Sequence, residues 1–538
     1  MKHQYLWALP IMALLAFSNC SNDDSTQENA KQLSNNDTAR MTEFAVEEIL
    51  NQTGTRTMGI YSGKGIDFYW TDGDDLWINS GLGTSPLIKN SKNNISGKTA
   101  TAKFYFDGKY TAESYPVRYT GKGNTVGDKV TIKSVQNQKE PNDGSHIGTD
   151  GDCGTAIAHR NNDGKYKFTL AHKAAYITFT PYYHYGFADD VKVTKIKVTA
   201  HKALAGEFSF NDDGIDLSTR PKPESSNQSI TLNLNGGGLN GFPIPSKPDI
   251  DKNAAIMVIA PGTYDNFTVE YTLHDSKTLE GGTVTKNYGT LIFNAGKNKR
   301  VSADLAVPHY PSNIYYMWDA AVNEDAWKGH EKYQPTLRDE TNNEHYPQNE
   351  SDPRWHNTLS FPASATRSAK NSPNANELLW YAHKGDPHWD ASMWSIMKHL
   401  YRGGMWLKKR NIIATENHKS LAELKKTAPD GRNYTEISTD PKIYEKFEQD
   451  NKTIAKGKPE NSDNYILLPA FGYYLTAAFP IAGVKPSQFR FIGQKGYYWS
   501  STPRPDQDLN GYNLYIAVDR VHTGYGNRSN AHCLWPVE

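Results

Sequence analysis

The chain has 538 residues, of which 59 are basic and 59 acidic, so its formal net charge is zero. Such a chain lacks the basic excess that favours binding to nucleic acid or to an anionic membrane surface, and neither partner is expected. The three cysteines are too few for a disulfide framework. The length predicts several domains, and beyond residues 1–19 no apolar run is long enough to span a bilayer.

Residues 1–19 predict a secretory signal peptide. Lys2 and His3 precede an apolar run, which gives way to small polar residues just before Cys20. The run is shorter than the roughly 20 residues that cross a bilayer. Cys20 is followed by the polar tract "SNDD", so packing in a core does not explain its position.

The end of this signal resembles that of a bacterial lipoprotein, in which the chain is cut before a cysteine that then carries acyl chains. The resemblance implies lipidation at Cys20 and an anchor in the outer membrane. The acidic tract after Cys20 is similar to signals that send lipoproteins to the outer face of that membrane. Two or more acyl chains would hold the protein stably. The alternative is a plain secretory signal followed by an incidental cysteine.

Residues 20–56 are rich in Asn, Gln, Ser, Asp and Glu, which is typical of a linker or pro-segment. Within them, "MTEFAVEEIL" predicts one short amphipathic helix over residues 41–50. We therefore expect the first folded domain to begin at about residue 57.

From about residue 57 to residue 306 the patterns predict a mainly β structure. In "FTVEYTL" the apolar residues from Phe267 to Leu273 alternate with polar ones, which indicates a half-buried strand. In "VKVTKIKVTA" the alternation changes phase between Val193 and Ile196, which predicts a β-bulge. The run "AAIMVIAPGTY" predicts a strand covered on both faces, and Gly- and Asn-rich tracts between strands favour antiparallel sandwiches.

From about residue 310 to residue 538 helical patterns are added, which predicts a separate α+β domain. "DASMWSIMKHLYRGG" places Met393, Met397 and Leu400 at helical spacing, and Gly403-Gly404 would end that helix. "ENHKSLAELKKTAPDG" predicts a second short helix, stopped by Pro429. The segments "YILLPAFGYYL", "GYYWSST" and "YNLYIAV" predict strands.

The signal together with "TRTMGIYSGKGIDFYWTDGDDLWINSG" and "FTLAHKAAYITFTPYY" resembles the fimbrillin family, the protease-matured pilins and pilus accessory proteins of Gram-negative bacteria. The resemblance covers residues 40–306. It implies two consecutive transthyretin-like β-sandwich domains, over residues 57–170 and 171–306.

The region 310–538 is similar to C-type lectin-like domains that end in a "G-x-Y-W-S-S-T … R … C" pattern. The matching residues are Gly496, Tyr498, Trp499, Ser500, Ser501, Thr502, Arg528 and Cys533. "GGMWLKKRN…LAEL" is similar to the Trp-Leu and helix that precede this pattern in the family. The family pairs its last cysteine with one on the first helix of the domain, and no cysteine stands there in this chain. Cys153 and Cys533 either pair with each other or are buried thiols, and Trp499 is expected in the core.

Two polar clusters invite a catalytic or metal-binding interpretation. One contains His383, Asp386, His388 and Asp390, and the other contains Glu344, His345, Asp352 and His356. Neither has two histidines four apart on a helix with Glu between them, and ordinary polar loops are the preferred interpretation. We expect no enzyme activity, no metal and no cofactor.

These observations predict a fimbrial tip subunit that mediates adhesion to a host or bacterial surface protein or glycan. An arginine-specific protease would cut after Arg56, in the polar loop "NQTGTRT", or alternatively after Arg40. The cut would convert the lipid-anchored outer-membrane precursor into a fimbrial subunit and expose a sheet edge to a donor strand from an adjacent pilin.

The C-terminal "NAHCLWPVE" is expected to close its own domain, with Cys533, Leu534 and Trp535 buried, so the subunit would accept a strand without donating one. The alternative function is a surface glycan-binding lipoprotein of a nutrient-uptake system, which would stay anchored.

Overall fold

The structure is a computed structural model that describes residues 38–47, 58–361, 363–476 and 487–537. It is mainly β, as the sequence predicts. Among the described residues, no helix combines the length and the apolar character needed to cross a membrane.

The N-terminal region is built around one long, mixed sheet. The strands of the N-terminal region, not all of which belong to this sheet, are β1 (Met41–Val46), β2 (Met58–Tyr61), β3 (Ile66–Tyr69), β4 (Trp77–Asn79), β5 (Leu87–Lys89), β6 (Lys92–Asn93), β7 (Lys103–Asp107), β8 (Ser114–Tyr119), β9 (Lys129–Ile132), β10 (Val135–Gln138), β11 (Gly154–Arg160), β12 (Tyr166–Phe168) and β13 (Ala171–His172). Helix α1 (Ile147–Asp150) lies between β10 and β11. The sheet order is β5–β4–β8–β11–β12–β1–β7–β6. Side chains from β1, β4, β7, β8 and β12 share one core, so the sheet curls around it.

The second region has two facing sheets. Its strands are β14 (Ala175–Phe179), β15 (Val191–Thr199), β16 (Gly206–Asn211), β17 (Gly214–Ile215), β18 (Ser229–Leu234), β19 (Phe242–Pro243), β20 (Ala255–Ile259), β21 (Gly262–Asp275), β22 (Gly281–Phe293) and β23 (Asn298–Val301), with helix α2 (Ile250–Asn253) before β20. The order β10–β18–β15–β21–β22 forms the larger sheet and β20–β14–β23 the smaller. Their inner faces share a large apolar core, as expected of a β-sandwich.

The first two regions interlock. Strands β9 and β10 pair with β16 and β18 of the second region, and Tyr61 and Phe68 from the hairpin β2–β3 lie in the second core. Residues 58–69 and 129–138 therefore pack with residues 171–306, although they precede residue 170. The domain boundaries drawn from the sequence stay a prediction.

The C-terminal region combines two main sheets with helices. Its strands are β24 (His309–Tyr310), β25 (Tyr315–Tyr316), β26 (His388–Ile396), β27 (His399–Lys408), β28 (Gln449–Asn451), β29 (Ala455–Lys456), β30 (Tyr465–Pro469), β31 (Tyr473–Leu475), β32 (Gln488–Arg490), β33 (Lys495–Pro503), β34 (Asn510–Ala517), β35 (Arg520–Asn527) and β36 (His532–Cys533). The α-helices of this region are α3 (Ala375–Lys384), α4 (Arg410–Glu416) and α5 (Leu421–Lys426), and its 3₁₀ turns are at Glu331–Tyr333, Pro441–Ile443, Glu445–Phe447 and Ser462–Asn464. A further 3₁₀ turn, Leu217–Thr219, lies in the second region. The main sheets run β24–β26–β27–β30 and β25–β36–β33–β34–β35–β28.

Helix α3, which the sequence patterns did not predict, begins with a complete capping box. The Asn374 side chain accepts a hydrogen bond from the Glu377 backbone, and the Glu377 carboxylate accepts one from the Asn374 backbone. Leu378 and Leu379 bury the apolar face of the helix in the C-terminal core.

Two segments predicted as helices form strands. Residues 41–46, assigned to a helix over 41–50, are strand β1, and residues 388–408 form the hairpin β26–β27. Gly403 and Gly404 do not end a helix but lie inside β27. In both places the strand is favoured over a helix because it has a hydrogen-bonded neighbouring strand on either side. Strand β1 lies between β12 and β7, and β27 lies between β26 and β30.

Other predicted elements are confirmed. Strand β21 buries Phe267, Val269, Tyr271 and Leu273 on one face, and the register of β15 against β21 shifts at a bulge between Val193 and Lys195. Strand β20 is buried along its whole length, and the second predicted helix is α5.

The hairpin β26–β27 also joins the second and C-terminal regions. Its tip reaches the second region, where Leu400 joins the core and the Lys398 carbonyl accepts a hydrogen bond from Ala188 N–H. The buried Asp275 carboxylate accepts hydrogen bonds from Leu400 N–H and from His399 Nδ1, each at 3.0 Å. The two regions therefore meet through buried, specific contacts.

Candidate functional site

Within the N-terminal sheet, strand β1 is hydrogen-bonded to a neighbouring strand along each of its two edges. It pairs in antiparallel fashion with β7, where Phe44 lies opposite Phe104, and in parallel with β12, where Phe44 lies beside Tyr166. The Val46 N–H donates to the Ala102 carbonyl at 3.0 Å just beyond the end of β7. A strand with only six residues thus fills a place in the middle of a sheet.

The inner face of β1 is anchored by Phe44. Thr42, Phe44 and Val46 alternate with half-buried residues and point into the core. The Phe44 ring stacks on Tyr166 at a centroid distance of 4.4 Å and meets Phe106 edge to face at 5.0 Å. This aromatic contact makes Phe44 the main side-chain anchor of the strand.

The outer face of β1 carries one acidic side chain between two basic ones. The Glu43 carboxylate lies 3.7 Å from Lys103 Nζ on one side and 3.7 Å from Lys165 Nζ on the other. Burial, together with the neighbouring Glu43, raises the pKa of Tyr105 to about 12. The ion pairs are partly exposed and add little stability compared with the buried face.

Removal of β1 would leave a gap between β7 and β12. The gap would expose unpaired backbone N–H and C=O groups on two strands, together with the aromatic pocket of Phe44. Such a groove can bind an extended strand through backbone hydrogen bonds and alternate side chains. The sequence predicted one exposed sheet edge, whereas this gap would have two.

The predicted processing residues lie around this strand. Arg40 is exposed in the turn that leads into β1, and its carbonyl accepts a hydrogen bond from Gly108 N–H at 3.2 Å. Cys20 and Arg56 lie outside the described residues. A cut after Arg40 would leave β1 joined to the rest of the domain, whereas a cut after Arg56 would separate it.

The two polar clusters of the C-terminal region form local hydrogen bonds. Asp386 accepts a hydrogen bond from the Tyr465 hydroxyl at 2.7 Å, and Asp390 accepts one from Ser392 N–H at 2.9 Å. His383 Nε2 lies 2.6 Å from Gln449 Oε1, and His388 Nε2 lies 3.6 Å from Asp386.

In the second cluster Arg354 pairs with Asp352, His345 stacks on Tyr333, and His356 is buried. Throughout the described ranges, no group of three or more His, Cys, Asp or Glu side chains is placed to hold a metal ion. Glu344 belongs to no such group.

The residues that resemble the lectin-like pattern lie mostly in the C-terminal core. The pattern residues on strand β33, Gly496, Tyr498, Trp499, Ser500, Ser501 and Thr502, are all buried. The Trp499 indole N–H donates to the Tyr316 carbonyl at 2.8 Å, so this tryptophan is a core residue, as predicted.

Arg528 is an unusual member of this set, because its charged side chain is fully buried. Its guanidinium lies 4.3 Å from the Trp318 ring and donates hydrogen bonds to the Asn357 and Leu359 carbonyls. Burial lowers the pKa of Arg528 to about 10. The pattern therefore describes internal structure and gives no surface for a ligand.

Cys153 and Cys533 are both buried free thiols. Of the two alternatives that the sequence left open, a disulfide between them or two buried thiols, the structure has the second. They belong to different cores, and burial raises the pKa of each thiol well above its ordinary value. Cys533 and Trp535 are buried at the end of the chain as predicted, while Leu534 is half-buried.

Comparisons with known proteins give only distant likenesses. No protein-family model matches the chain, and no curated protein matches it. Among solved structures, a candidate cell adhesion protein from Bacteroides ovatus is 13% identical over 49% of this chain and 92% of its own, with a TM-score of 0.31.

A candidate cell adhesion protein from Bacteroides uniformis is also 13% identical, over 49% of this chain and 94% of its own, with a TM-score of 0.29. A fimbrial protein from Bacteroides ovatus is 10% identical over 92% of this chain and 98% of its own, with a TM-score of 0.20. The identities and TM-scores are low, and these descriptions apply to those proteins.

Proposed function

We propose that the protein is a surface adhesion subunit that assembles into a fimbrium by accepting a strand in place of β1. The observation that carries this proposal is the position of β1, a short strand held between β12 and β7 with an arginine on each side of it in the sequence. An incoming strand with a large apolar residue at the place of Phe44 could form the same backbone ladders.

The order of the two arginines favours Arg56 as the processing site. Once the chain is cut there, β1 would be held only by noncovalent contacts, with net values of about 0.5–1.5 kcal/mol for each hydrogen bond. Loss of the covalent link makes displacement by another strand possible. The same cut would separate the subunit from a lipid anchor at Cys20.

We place the C-terminal region at the outward-facing tip, as a lectin-like adhesive domain. In support of this, β36 is hydrogen-bonded to β25 and to β33 within its own sheet, so residues 532–533 are not free to pair with another subunit. The proposed role is adhesion and assembly at the cell surface, without enzymatic activity or a cofactor. Its ligand is a host or bacterial surface protein or glycan.

Limited cleavage with an arginine-specific protease tests the exchange of β1. A fluorescent peptide of residues 38–47 should bind the cut protein but not the uncut one, and the same peptide with Phe44→Ser should bind much more weakly. Arg56→Ala should abolish binding, whereas Arg40→Ala should preserve it. Equal binding of both peptides, or binding that needs the cut at Arg40, would refute the proposal.

N-terminal sequencing of surface material distinguishes the alternative function. A start at residue 57 supports the fimbrial subunit, whereas a start at Cys20 supports an anchored glycan-binding lipoprotein. Gold-labelled antibody against residues 310–538 should mark filament ends, and labelling along the shaft would contradict the tip position.

A further inference from the structure

The outer face of one C-terminal sheet carries a short row of aromatic side chains. On strands β33, β34 and β35, Tyr497 lies opposite Tyr515, and Tyr515 lies opposite His522. Paired residues point to the same face of a sheet, and the other face carries Leu514 and Ile516 into the core. The centroids of the two tyrosine rings are 5.4 Å apart, and those of Tyr515 and His522 are 4.6 Å apart. All three rings are half-buried, so they form one continuous aromatic surface in contact with solvent.

Asn513 lies beside this row, two residues before Tyr515 on the same strand and therefore on the same face. The residue is only 3% exposed, yet its side-chain amide makes no hydrogen bond to any described residue. Both amide atoms remain open to a group the size of water. An amide that is almost fully buried, unpartnered and still reachable calls for a hydrogen-bond partner from outside the chain.

Two glycines leave the space around this amide open. A methyl group on Gly526 would lie 3.1 Å from Asn513 Nδ2 and 3.6 Å from His532 Nε2. One on Gly524 would lie 4.0 Å from Asn513 Oδ1 and 2.9 Å from His522 Nε2. His532 is 2% exposed, and its Nε2 also makes no hydrogen bond to a described residue and is open to a water-sized group. We call the space bordered by these five residues the polar recess.

The polar recess is preformed and lies directly beside the tyrosine row. The His532 ring stacks on Trp499 at a centroid distance of 3.9 Å and lies 5.3 Å from the Tyr497 ring. Burial lowers the pKa of His532 to about 3, so its ring is neutral at neutral pH. The recess therefore offers a neutral amide and a neutral imidazole in fixed positions.

The charged groups nearby are already engaged within the protein. An oxygen of the Asp450 carboxylate lies 3.0 Å from His522 Nδ1, and the other lies 3.3 Å from Arg520 Nη1. Lys495 Nζ lies 5.3 Å from the centre of the Tyr515 ring. These contacts leave a balanced set of charges around the aromatic row, which favours an uncharged ligand over an ionic one.

We propose that this face binds an uncharged glycan, with a sugar ring on Tyr515 and Tyr497 and one of its hydroxyls in the polar recess. The inference rests on the proposed function, since it names the ligand of the adhesive C-terminal region. A hydroxyl both donates and accepts, so it can bond to Nδ2 and Oδ1 of one amide. The C–H groups of a sugar pack on the negative face of an aromatic ring.

A peptide fits the recess less well than a glycan. Its backbone carries the donor and the acceptor on separate groups, whereas each hydroxyl of a sugar carries both. Sugars also present flat C–H faces next to these hydroxyls, which matches an aromatic row beside a polar recess.

Binding of the full-length protein to an array of immobilised neutral oligosaccharides tests this proposal. One half of the array carries glucan and mannan fragments, and the other carries galactose- and N-acetylhexosamine-ended chains of glycoproteins, so the halves distinguish a polysaccharide from a protein-linked glycan. At least one oligosaccharide should bind saturably, and periodate cleavage of its vicinal diols should abolish binding. Absence of binding to every member, or binding unchanged by periodate, would overturn the proposal.

Filling the polar recess provides a matched comparison. Gly526→Ala should weaken glycan binding by roughly tenfold or more, because its methyl group occupies the place of the sugar hydroxyl. The backbone of Gly526 has no positive φ, so alanine is tolerated there. The control is Gly282→Ala in β22, where the methyl group also meets only side-chain atoms, at 3.3 Å, and binding should change less than about twofold. Equal effects of the two changes would overturn the site.

A second variant separates binding from stability. Asn513→Leu keeps a similar side-chain volume and removes an amide that has no partner in the described chain, so urea unfolding should show no loss of stability. Glycan binding should nevertheless fall by roughly tenfold or more. Full binding by the folded Asn513→Leu variant would exclude this amide from the site and contradict the proposal.

The exchange of β1 is measured independently on the same protein, with the peptide of residues 38–47. If β1 exchanges but the array shows no binding, the glycan site is wrong and the assembly proposal stands. If the array binds and responds to Gly526→Ala while β1 does not exchange, the assembly proposal is wrong and the glycan site stands.

Discussion

At the scale of single residues, Phe44 contributes most to the stability of β1. Its ring is fully buried and stacked on Tyr166, so Phe44→Ala should lower the free energy of unfolding of the uncut chain by about 3–5 kcal/mol. Urea unfolding measures this loss. Phe44→Leu, which refills most of the volume, should cost clearly less. A loss below about 1 kcal/mol for the alanine variant would show that the aromatic pocket does not hold the strand.

The candidate site could be predicted only in part from its residues. Arg40 and Arg56 were recognised from the polar loops around them, which are local features of the sequence. The strand between them was not, because its partners lie far along the chain, with Phe44 opposite Phe104 and beside Tyr166. Thr42, Phe44 and Val46 do alternate, but three positions are too few to separate a strand from a short helix.

At the scale of elements, prediction succeeded where a strand was long and its alternation regular. Strand β21 showed its period over seven residues, and the bulge in β15 was visible as a change of phase. The hairpin β26–β27 was missed because Met393, Met397 and Leu400 also fit helical spacing. Its turn contains no glycine that would have indicated a hairpin. The contact that favours the hairpin over a helix is the burial of Leu400 in the core of the second region.

The same hairpin offers a test of backbone strain. Met397 and Lys398, at the turn, have positive φ angles of 52° and 69°, which glycine adopts most easily. Lys398 is exposed, so Lys398→Gly should raise the free energy of unfolding by a few tenths to about 1 kcal/mol.

The matched control for this test is Lys398→Ala, which removes the same charge and stem but keeps the Cβ atom. Thermal unfolding of both variants measures the difference between them. A glycine variant no more stable than the alanine variant would show that the turn carries no strain.

At the scale of the whole molecule, Asp275 makes the union of the second and C-terminal regions sensitive to acid. Burial acts to raise the pKa of this carboxyl, but hydrogen bonds from His399, Leu400 N–H and Lys277 N–H outweigh it and lower the pKa below its ordinary value. A lowered pKa stabilises the folded state above the unfolded-state value of about 4, and this stabilisation is lost as the pH falls through the folded-state value.

Asp275→Asn should therefore cost about 1–3 kcal/mol of unfolding free energy near neutral pH, and the difference from the wild type should shrink below about pH 4. Urea unfolding at a series of pH values measures both effects. Asp213→Asn, at an exposed carboxylate, is the control and should change stability little. A difference that stays constant down to low pH would contradict the role given to Asp275.

The hairpin also determines how the molecule would respond to a pulling force. Strand β24, which follows directly on the second region, pairs in parallel with β26, and the tip of the same hairpin is buried against the second region. The hairpin therefore holds the two regions together at both of its ends, and the connection between them is not a free hinge. Tension on the C-terminal region would first have to strip Leu400 and its neighbours from the second core, and only then could the linking chain around residues 306–310 extend. A C-terminal region held in this way would transmit load to the rest of the chain without swivelling.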